Sequence, residues 1–189
     1  MPDLGITVNV KNTVEMHKIQ ELLQKAEVGI LVGFPSGRPH IQAVHEPVKD
    51  KDGKQKVDKN GNRVYKGGSK VQKKADGTVL ETWELAEALH FGSASVPARP
   101  FLTDGLESKQ EELLSAVQEQ AEKAMNGERP NWEKVGSMAK GAVDEFVRSD
   151  YYKTHIPNSK EWQEIKGSDT PLIDGGDLIG SLEFIVENK

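Results

Sequence analysis

The chain has 189 residues, of which 35% are hydrophobic and 29% are charged, and its mean hydropathy is −0.61. This length predicts a single domain, residues 1–189, and this composition predicts a soluble protein with a real core. No apolar run reaches the roughly 20 residues of a membrane-spanning helix, and the N-terminus lacks a signal-peptide pattern, so we expect synthesis in the cytoplasm and no membrane partner. The absence of cysteine excludes disulfides, thiolate metal sites and cysteine nucleophiles.

The net charge of −5 is unevenly distributed along the chain. Segment 46–74 holds ten basic and four acidic residues, a net charge of +6 that leaves −11 on the rest. A basic segment on an acidic body indicates a surface that meets an anionic partner, although lysines also keep exposed strand edges soluble. Both interpretations stand. The ten basic residues are Lys49, Lys51, Lys54, Lys56, Lys59, Arg63, Lys66, Lys70, Lys73 and Lys74.

The first third of the chain predicts a strand, a helix and a second strand. Residues 5–10 alternate and contain β-branched side chains, as in a short strand. Asn12 and Glu15 form a capping-box pattern, and the apolar spacing that follows predicts an amphipathic helix over 13–27. The apolar run 28–34 predicts a buried strand that is ended by the turn residues 35–37.

Segment 44–80 predicts a lysine-rich insertion within the domain. Four turn dipeptides interrupt it, and each favours the positive φ of a tight hairpin. Little apolar content lies between them, so we expect one or two β-hairpins or a long polar loop that projects from the body. The dipeptides are Asp52-Gly53, Asn60-Gly61, Gly67-Gly68 and Asp76-Gly77.

Helical periodicity dominates the second half of the chain. Residues 82–90 predict a short helix stopped by Gly92, and prolines make the segment 95–102 extended. A capping-box pattern at Asp104 and Glu107 predicts the start of a helix that ends at Gly127. A further helix runs from Pro130 to about residue 148, residues 151–170 are irregular, and residues 182–186 alternate as in a final strand. This order predicts an α+β fold with a small, mostly antiparallel sheet packed by helices on one face.

No pattern in the chain points to catalysis, a metal or a cofactor. His40 and His45 are five residues apart and lack the second histidine of HExxH, and neither Asp50 nor Asp58 begins a calcium loop. Asp174 and Asp177 flank two glycines. This pattern favours a tight turn, in which Asp177 caps a short helix, and argues against a pair of catalytic carboxylates. We therefore expect no enzyme activity.

The segment around Arg99 predicts a fixed charge. Arg99 lies between Pro97 and Pro100, so its backbone is stiff and its guanidinium is held in a defined place. Two partners remain open, a carboxylate of the same chain or a contact with another subunit. Of the aromatic residues near the prolines, Trp83, Phe91 and Phe101, we expect at least two to pack in the core.

Three strings of the sequence together resemble a family of tailed-bacteriophage proteins. VGFPSG, LAEALHFGSASVPARPFL and PLIDGGDLIGSLEFIV are similar, in this order, to segments of the tail-completion or neck proteins of Mu-like phages. The likeness touches about half of the chain. Ala88, Leu89 and His90 depart from the family's asparagine–glutamate pair, and Gly175 departs from its threonine. The matching residues are Gly33, Phe34, Phe91, Gly92, Pro97, Ala98, Arg99, Pro100, Phe101, Leu102, Pro171, Leu172, Ile173, Asp174, Gly176, Leu178, Ser181 and Leu182.

The resemblance implies a structural virion protein without catalysis, forming a homo-oligomeric ring, a hexamer, at the head-to-tail junction. Its partners would be connector or neck proteins and tail-tube or tail-terminator proteins. Interface residues would come from the PARPF and PLID strings and from the basic insertion: Arg99, Pro100, Phe101, Asp174, Lys49, Lys51, Lys54, Lys56, Arg63, Lys66, Lys70, Lys73 and Lys74.

Two other functions are weighed against this one. In the first, the basic segment 46–74 is a nucleic-acid-binding module that follows phosphates, although Tyr65 is its only aromatic residue. A ring subunit with the same segment would touch passing DNA only transiently. In the second, scattered residues assemble a small hydrolase site, for which no motif is visible.

Overall fold

A computed structural model describes residues 28–94 and 96–188 of the chain. The predicted strand 5–10 and helix 13–27 lie outside these ranges. In the described part, antiparallel strands pair in two small sheets, and helices pack on one face of the first, so the predicted α+β fold is confirmed.

The first sheet joins the two ends of the described chain. Strand β1 (Val28–Gly33) pairs antiparallel with β4 (Glu183–Asn188). Ile30 lies opposite Val186, and both pack towards the helices, whereas the opposed pair Leu31 and Ile185 is 39% and 43% exposed. The strand predicted over 28–34 is confirmed over 28–33, but its predicted burial is only partly right: Phe34 is buried, Leu31 is exposed and the other residues are half-buried, because the described helices cover one face only.

Seven helices occupy the described residues between the second sheet and β4. They are α1 (Thr82–Phe91), α2 (Phe101–Glu107), α3 (Gln110–Met125), α4 (Trp132–Arg148), α5 (Asp150–His155), α6 (Lys160–Lys166) and α7 (Asp177–Gly180). The predicted helix over 82–90 is confirmed, as is its stop at Gly92, which has a φ of 80°. The predicted end of α4 at residue 148 is also confirmed.

The capping box predicted at Asp104 is wrong. The helix that contains Asp104 begins three residues earlier, at Phe101, because Pro100 stands at its N-terminal cap. It ends at Glu107, and the Ser108 hydroxyl donates to the Gly105 carbonyl, so the single helix expected up to Gly127 is divided into α2 and α3. The segment predicted as extended is likewise shorter, because its last two residues are helical.

The prediction that residues 151–170 are irregular is also wrong. Ser149 accepts a hydrogen bond from the Tyr152 amide at 3.1 Å, and Ser159 accepts one from the Trp162 amide at 3.2 Å. Each serine thus starts a short helix, α5 and α6, by satisfying a terminal donor. Helices of six and seven residues are too short to show a helical period in the sequence.

Two apolar clusters form the core, and α4 contributes to both. The larger cluster draws on segments that are far apart in the chain, and the smaller one lies between α3, α4 and the first sheet. The larger cluster comprises Phe34, Ala86, Phe101, Leu102, Val143, Val147, Tyr152, Leu178, Ile179 and Leu182. The smaller comprises Ala116, Ala121, Trp132 and Val135.

Glycines let α4 approach its neighbours closely. A Cβ atom at Gly136 would lie 2.6 Å from Cε2 of Phe184 in β4, and one at Gly105 would lie 2.8 Å from the Cα of Val143 in α4. Real Cβ atoms do not approach other atoms this closely, so both positions require glycine. By contrast, a Cβ atom at Gly141 in the same helix would meet nothing within 4 Å.

Replacing Gly136 should therefore destabilise the fold. We expect Gly136→Ala to lower the free energy of unfolding by about 1–3 kcal/mol, because overpacking against Phe184 outweighs the better helix propensity of alanine. The matched control Gly141→Ala should raise it by about 0.5–1 kcal/mol. Urea unfolding followed by circular dichroism measures both, and equal effects at the two positions would contradict the packing argument.

His90 is a buried titratable group of the core. It is 3% exposed, and its ring lies edge-to-face against Phe91 and Phe101, with centroid distances of 4.7 and 5.6 Å. Burial lowers the pKa of His90, and the nearby charge of Asp104 opposes this only in part. The folded state thus favours the neutral imidazole.

Folding stability should consequently fall in mild acid. Since the pKa of His90 is lower in the folded than in the unfolded chain, its contribution is full above about pH 6.5 and is lost as the pH falls below that value. We expect His90→Leu to lose less stability than the wild type between about pH 7 and pH 5. Urea unfolding at both pH values tests this, with exposed His155→Gln as control. A pH dependence unchanged in His90→Leu would contradict it.

Candidate interaction surface

The lysine-rich segment forms a two-stranded ribbon. Strand β2 (Ile41–Pro47) pairs antiparallel with β3 (Tyr65–Val71), and shorter bridges extend the pairing in both directions. We call residues 41–80 the basic ribbon. Every side chain in it is half-buried or exposed, and none belongs to either core cluster. The predicted hairpin that stays outside the core is confirmed, with strand pairing that begins three residues before the predicted boundary at Val44.

Three tight loops punctuate the ribbon. The fourth turn, predicted at Gly67-Gly68, is wrong, because both glycines lie within β3 and pair with β2. Gly53, Gly61 and Gly77 each take a left-handed backbone conformation, with φ values of 78°, 84° and 85°. In each loop an aspartate binds the backbone: Asp50 accepts from the amides of residues 52 and 54, Asp58 from those of residues 60 and 62, and Asp76 from that of Thr78. These backbone hydrogen bonds lower the pKa of Asp58, so it remains ionised while its carboxylate serves the loop.

Two closed cycles of backbone hydrogen bonds join these loops to the strands. In each cycle the amides of three residues donate in turn to the carbonyls of the same three residues, with N···O distances of 2.7 to 3.0 Å. The six residues of the two cycles lie eight, or a multiple of eight, positions apart along the chain. The predicted hairpins did not include this spacing, although glycines at 53, 61 and 77 carry its signal in the sequence. The first cycle is Val48, Val64 and Lys56, and the second is His40, Leu80 and Gln72.

Most of the cationic side chains on the ribbon lack a carboxylate partner. Lys74 binds Glu84 at 2.8 Å, and this hydrogen bond raises the pKa of Lys74. The other nine of the ten basic residues of segment 46–74 have no carboxylate within 4.0 Å in the described part of the chain. All the predicted interface residues here are exposed: Lys49, Lys51, Lys54, Lys56, Arg63, Lys66, Lys70, Lys73 and Lys74.

The ribbon is attached to the body through one face of β2. His45 Nε2 lies 2.7 Å from Asp174 Oδ1, and its ring lies edge-to-face against Trp162. Gly175 has a φ of 75°, and a Cβ atom there would approach Ala43 Cβ to 3.2 Å. A threonine at 175 would be strained in this backbone conformation, which accounts for the glycine.

Asp177 makes the second attachment. Its Oδ2 accepts a hydrogen bond from the Ile41 amide at 2.9 Å. The same oxygen lies 2.9 Å from His40 Nδ1, but the two atoms are not aligned for a hydrogen bond. The prediction that Asp177 caps the helix is wrong, since Gly176 is the N-terminal cap of α7 and the carboxylate reaches to the ribbon instead. The two aspartates beside the glycine pair thus hold the base of the basic ribbon.

The predicted interface residues of the PARPF string do not form one exposed surface. Phe101 is 0% exposed and belongs to the larger core cluster, so its assignment to an interface is wrong. Trp83 also packs against this cluster, as expected, whereas Phe91 is 61% exposed. Pro100 is half-buried at the start of α2.

Arg99 is not paired with a carboxylate in the described part of the chain. Its Nη1 donates to Asn158 Oδ1 at 3.4 Å, and no acidic oxygen lies within 4.0 Å of its guanidinium. The predicted carboxylate partner within these residues is therefore wrong. Contact with another subunit stays a prediction.

The described part of the chain shows neither a metal site nor a helix that could cross a membrane. Residues 28–94 and 96–188 contain no group of three or more side chains arranged to hold a metal ion. None of their helices has the length and apolarity to cross a membrane. Comparison with protein-family models, curated proteins and solved structures gives no match to this chain.

Loss of the Asp177 carboxylate should loosen the ribbon. In Asp177→Ala the Ile41 amide loses its acceptor, which costs about 1–3 kcal/mol locally. We expect amide hydrogen exchange in β2 and β3 to accelerate roughly tenfold, while exchange in α4 stays unchanged. The control Asp169→Ala removes a carboxylate that is 66% exposed and does not touch the ribbon. Unchanged exchange in Asp177→Ala would show that Asp177 does not hold the ribbon.

Proposed function

We propose that this chain is a structural virion protein of a tailed bacteriophage, a ring subunit at the head-to-tail junction with no catalytic role. The observation that carries the proposal is the basic ribbon, which is held at its base and presents nine cations without carboxylate partners among the described residues. Unpaired cations on an extended arm are suited to an acidic partner surface. The chain outside segment 46–74, with a net charge of −11, offers such a surface on a neighbouring copy.

The three strings that resemble the tail-completion and neck proteins also meet in one place. Phe34 from the first string, Leu102 from the second and Leu182 from the third all belong to the larger core cluster. Residues from three separate strings of the sequence thus pack together in the larger core cluster. This convergence supports the view that the resemblance reflects a shared fold, from which the proposed location in the virion follows.

In the proposed ring, each basic ribbon contacts the acidic body of the next subunit or of an adjacent ring. Each contact joins two different surfaces, the basic ribbon of one copy and the acidic body of the next. Contacts of this kind can close into a ring, which we propose is a hexamer. A single exposed ion pair contributes at most about 1 kcal/mol, so the network around the whole ring provides the stabilisation. Connector, neck, tail-tube and tail-terminator proteins would contact the two faces of this ring.

Shortening the ribbon tests this function. We expect a chain in which residues 49–63 are replaced by Asn-Gly to fold normally, because Val48 and Val64 are already joined by a 2.9 Å backbone hydrogen bond and the removed side chains lie outside the core. Joining of heads to tails should fail. Circular dichroism checks the fold, and electron microscopy counts the joined particles in a complementation assay.

Charge variants of the same segment provide the matched controls. Replacing Lys49, Lys51, Lys54, Lys56 and Lys59 by glutamine should impair joining, whereas replacing them by arginine should preserve it. Joining should also weaken with added salt, since the Debye length shrinks to roughly 3 Å at 1 M. Normal joining by the glutamine variant would remove the ribbon charge from the mechanism. Tight DNA retention on filters with a steep salt dependence would instead favour a nucleic-acid-binding module.

A further inference from the structure

We propose that Arg99, Tyr152 and Asn158 form a binding site for an oxyanion, either the carboxylate of an acidic side chain or a free inorganic anion such as sulfate. The site consists of hydrogen-bond donors whose acceptor is absent from the described residues. It stands on the geometry of the single chain. Only the choice of a neighbouring copy as the carboxylate source rests on the proposed function.

The backbone holds the Arg99 guanidinium in a fixed place. The Arg99 amide donates to the Leu89 carbonyl at 2.8 Å, and prolines at 97 and 100 restrict the chain on both sides. Arg99 is half-buried. Its Nε is buried without any acceptor, and its Nη1 makes one long hydrogen bond of 3.4 Å to Asn158 Oδ1.

Two neighbouring side chains also have unused donors. The Tyr152 hydroxyl is fully buried without a hydrogen-bond partner, and Asn158, which is 8% exposed, has an unpartnered Nδ2. Tyr152 lies close enough to Arg99 for the arginine charge to act on the pKa of the phenol, against the stronger effect of burial, which raises it. Buried polar groups are nearly always paired, so the unpaired donors of Tyr152 and Asn158, both close to Arg99, indicate together with its unpaired Nε a missing acceptor.

The charges around these donors favour an acceptor that is negative. Lys166 lies near Arg99 and donates to the carbonyls of Thr170 and Ile173. Burial lowers its pKa, the charge of Asp174 opposes this in part, and the arginine charge adds to the lowering. The nearby carboxylates do not fill the site: Asp104 is not within 4.0 Å of Arg99, and Asp174 is bound to His45.

An oxyanion matches this donor set better than a neutral acceptor does. The guanidinium fork can bind two oxygens of one carboxylate or sulfate, while the phenol and the amide donate to the remaining lone pairs. Carrying the Arg99 charge half-buried without a counter-charge is unfavourable, and a bound anion removes that penalty. In the ring, an exposed glutamate or aspartate from the next subunit would be such an anion.

The first experiment measures anion binding by the isolated chain. Unfolding is followed in sulfate and in chloride at equal ionic strength, for the wild type, Arg99→Met and Tyr152→Phe. We expect sulfate to lower the unfolding equilibrium constant of the wild type, by roughly 100-fold at a concentration 100 times its Kd. The sulfate effect should vanish in Arg99→Met and weaken in Tyr152→Phe. In chloride, Tyr152→Phe should be no less stable than the wild type, since the hydroxyl it loses has no partner.

The control separates this site from a general salt effect. Arg148→Met removes a guanidinium that is bound to Asp144 on its own helix, and it should retain the full sulfate response of the wild type. An identical response to sulfate in the wild type and Arg99→Met would overturn the proposal, as would a loss of stability in Tyr152→Phe in chloride. Because Tyr152→Phe is conservative, the test remains decisive if Arg99→Met fails to fold.

A second experiment identifies the source of the oxyanion. If the carboxylate of a neighbouring copy occupies the site, sulfate should dissociate the oligomer more strongly than chloride at equal ionic strength, as measured by sedimentation velocity, and Arg99→Met should not assemble. A sulfate response of the monomer without any effect on assembly would assign the site to a free anion. A chain that never assembles would refute the proposed ring, while the first experiment still decides the oxyanion site.

Discussion

A two-stranded ribbon without buried side chains cannot set its own direction, so the attachment at its base determines where the ribbon points. Here that attachment depends on two carboxylates of the C-terminal segment. Asp174 holds His45, and Asp177 binds the Ile41 amide and lies beside His40. Because both aspartates are fixed by the turn that precedes α7, the orientation of the basic ribbon is tied to the core through Leu178 and Ile179.

The separation of charge along the chain survives folding in part because the aspartates of the ribbon loops are engaged by the backbone. Asp50 and Asp58 each accept hydrogen bonds from amides in their own loops, and so they stabilise turns and do not bind the neighbouring lysines. Lys74 at the base pairs with Glu84 of the body. The result is an arm with a stiff hydrogen-bonded frame whose positive charge is directed to solvent, which is the property that the proposed ring contact uses.

Helix α4 is the scaffold on which the remaining parts assemble. Its small residues allow the first sheet and α2 to approach closely, as the contacts of Gly136 with Phe184 and of Val143 with Gly105 show. Close packing here fixes the start of α2, and with it the stretch that carries Arg99. The backbone that carries Arg99 is therefore held in place before any ligand arrives, which reduces the entropy lost on binding.

Local patterns in the sequence determined much of this protein: the strand from Val28, the helix ended by Gly92, the end of α4 and the hairpin turns at Gly53, Gly61 and Gly77. In each case the residues near in sequence carry the whole signal, through apolar period or through φ preference. The same holds for the uneven charge. Helices α5 and α6 were missed because six or seven residues show no period.

The partners of polar side chains were decided by the tertiary structure alone. Asp177 followed a capping pattern, yet it binds an amide 136 residues away, and Arg99 had a stiff backbone that indicated a fixed charge but said nothing of its neighbours. Phe101 looked equally suited to an interface or to the core until the helices packed around it. Long-range contacts of this kind depend on how the elements pack, whereas the spacing of residues in a sequence reports only the geometry within each element.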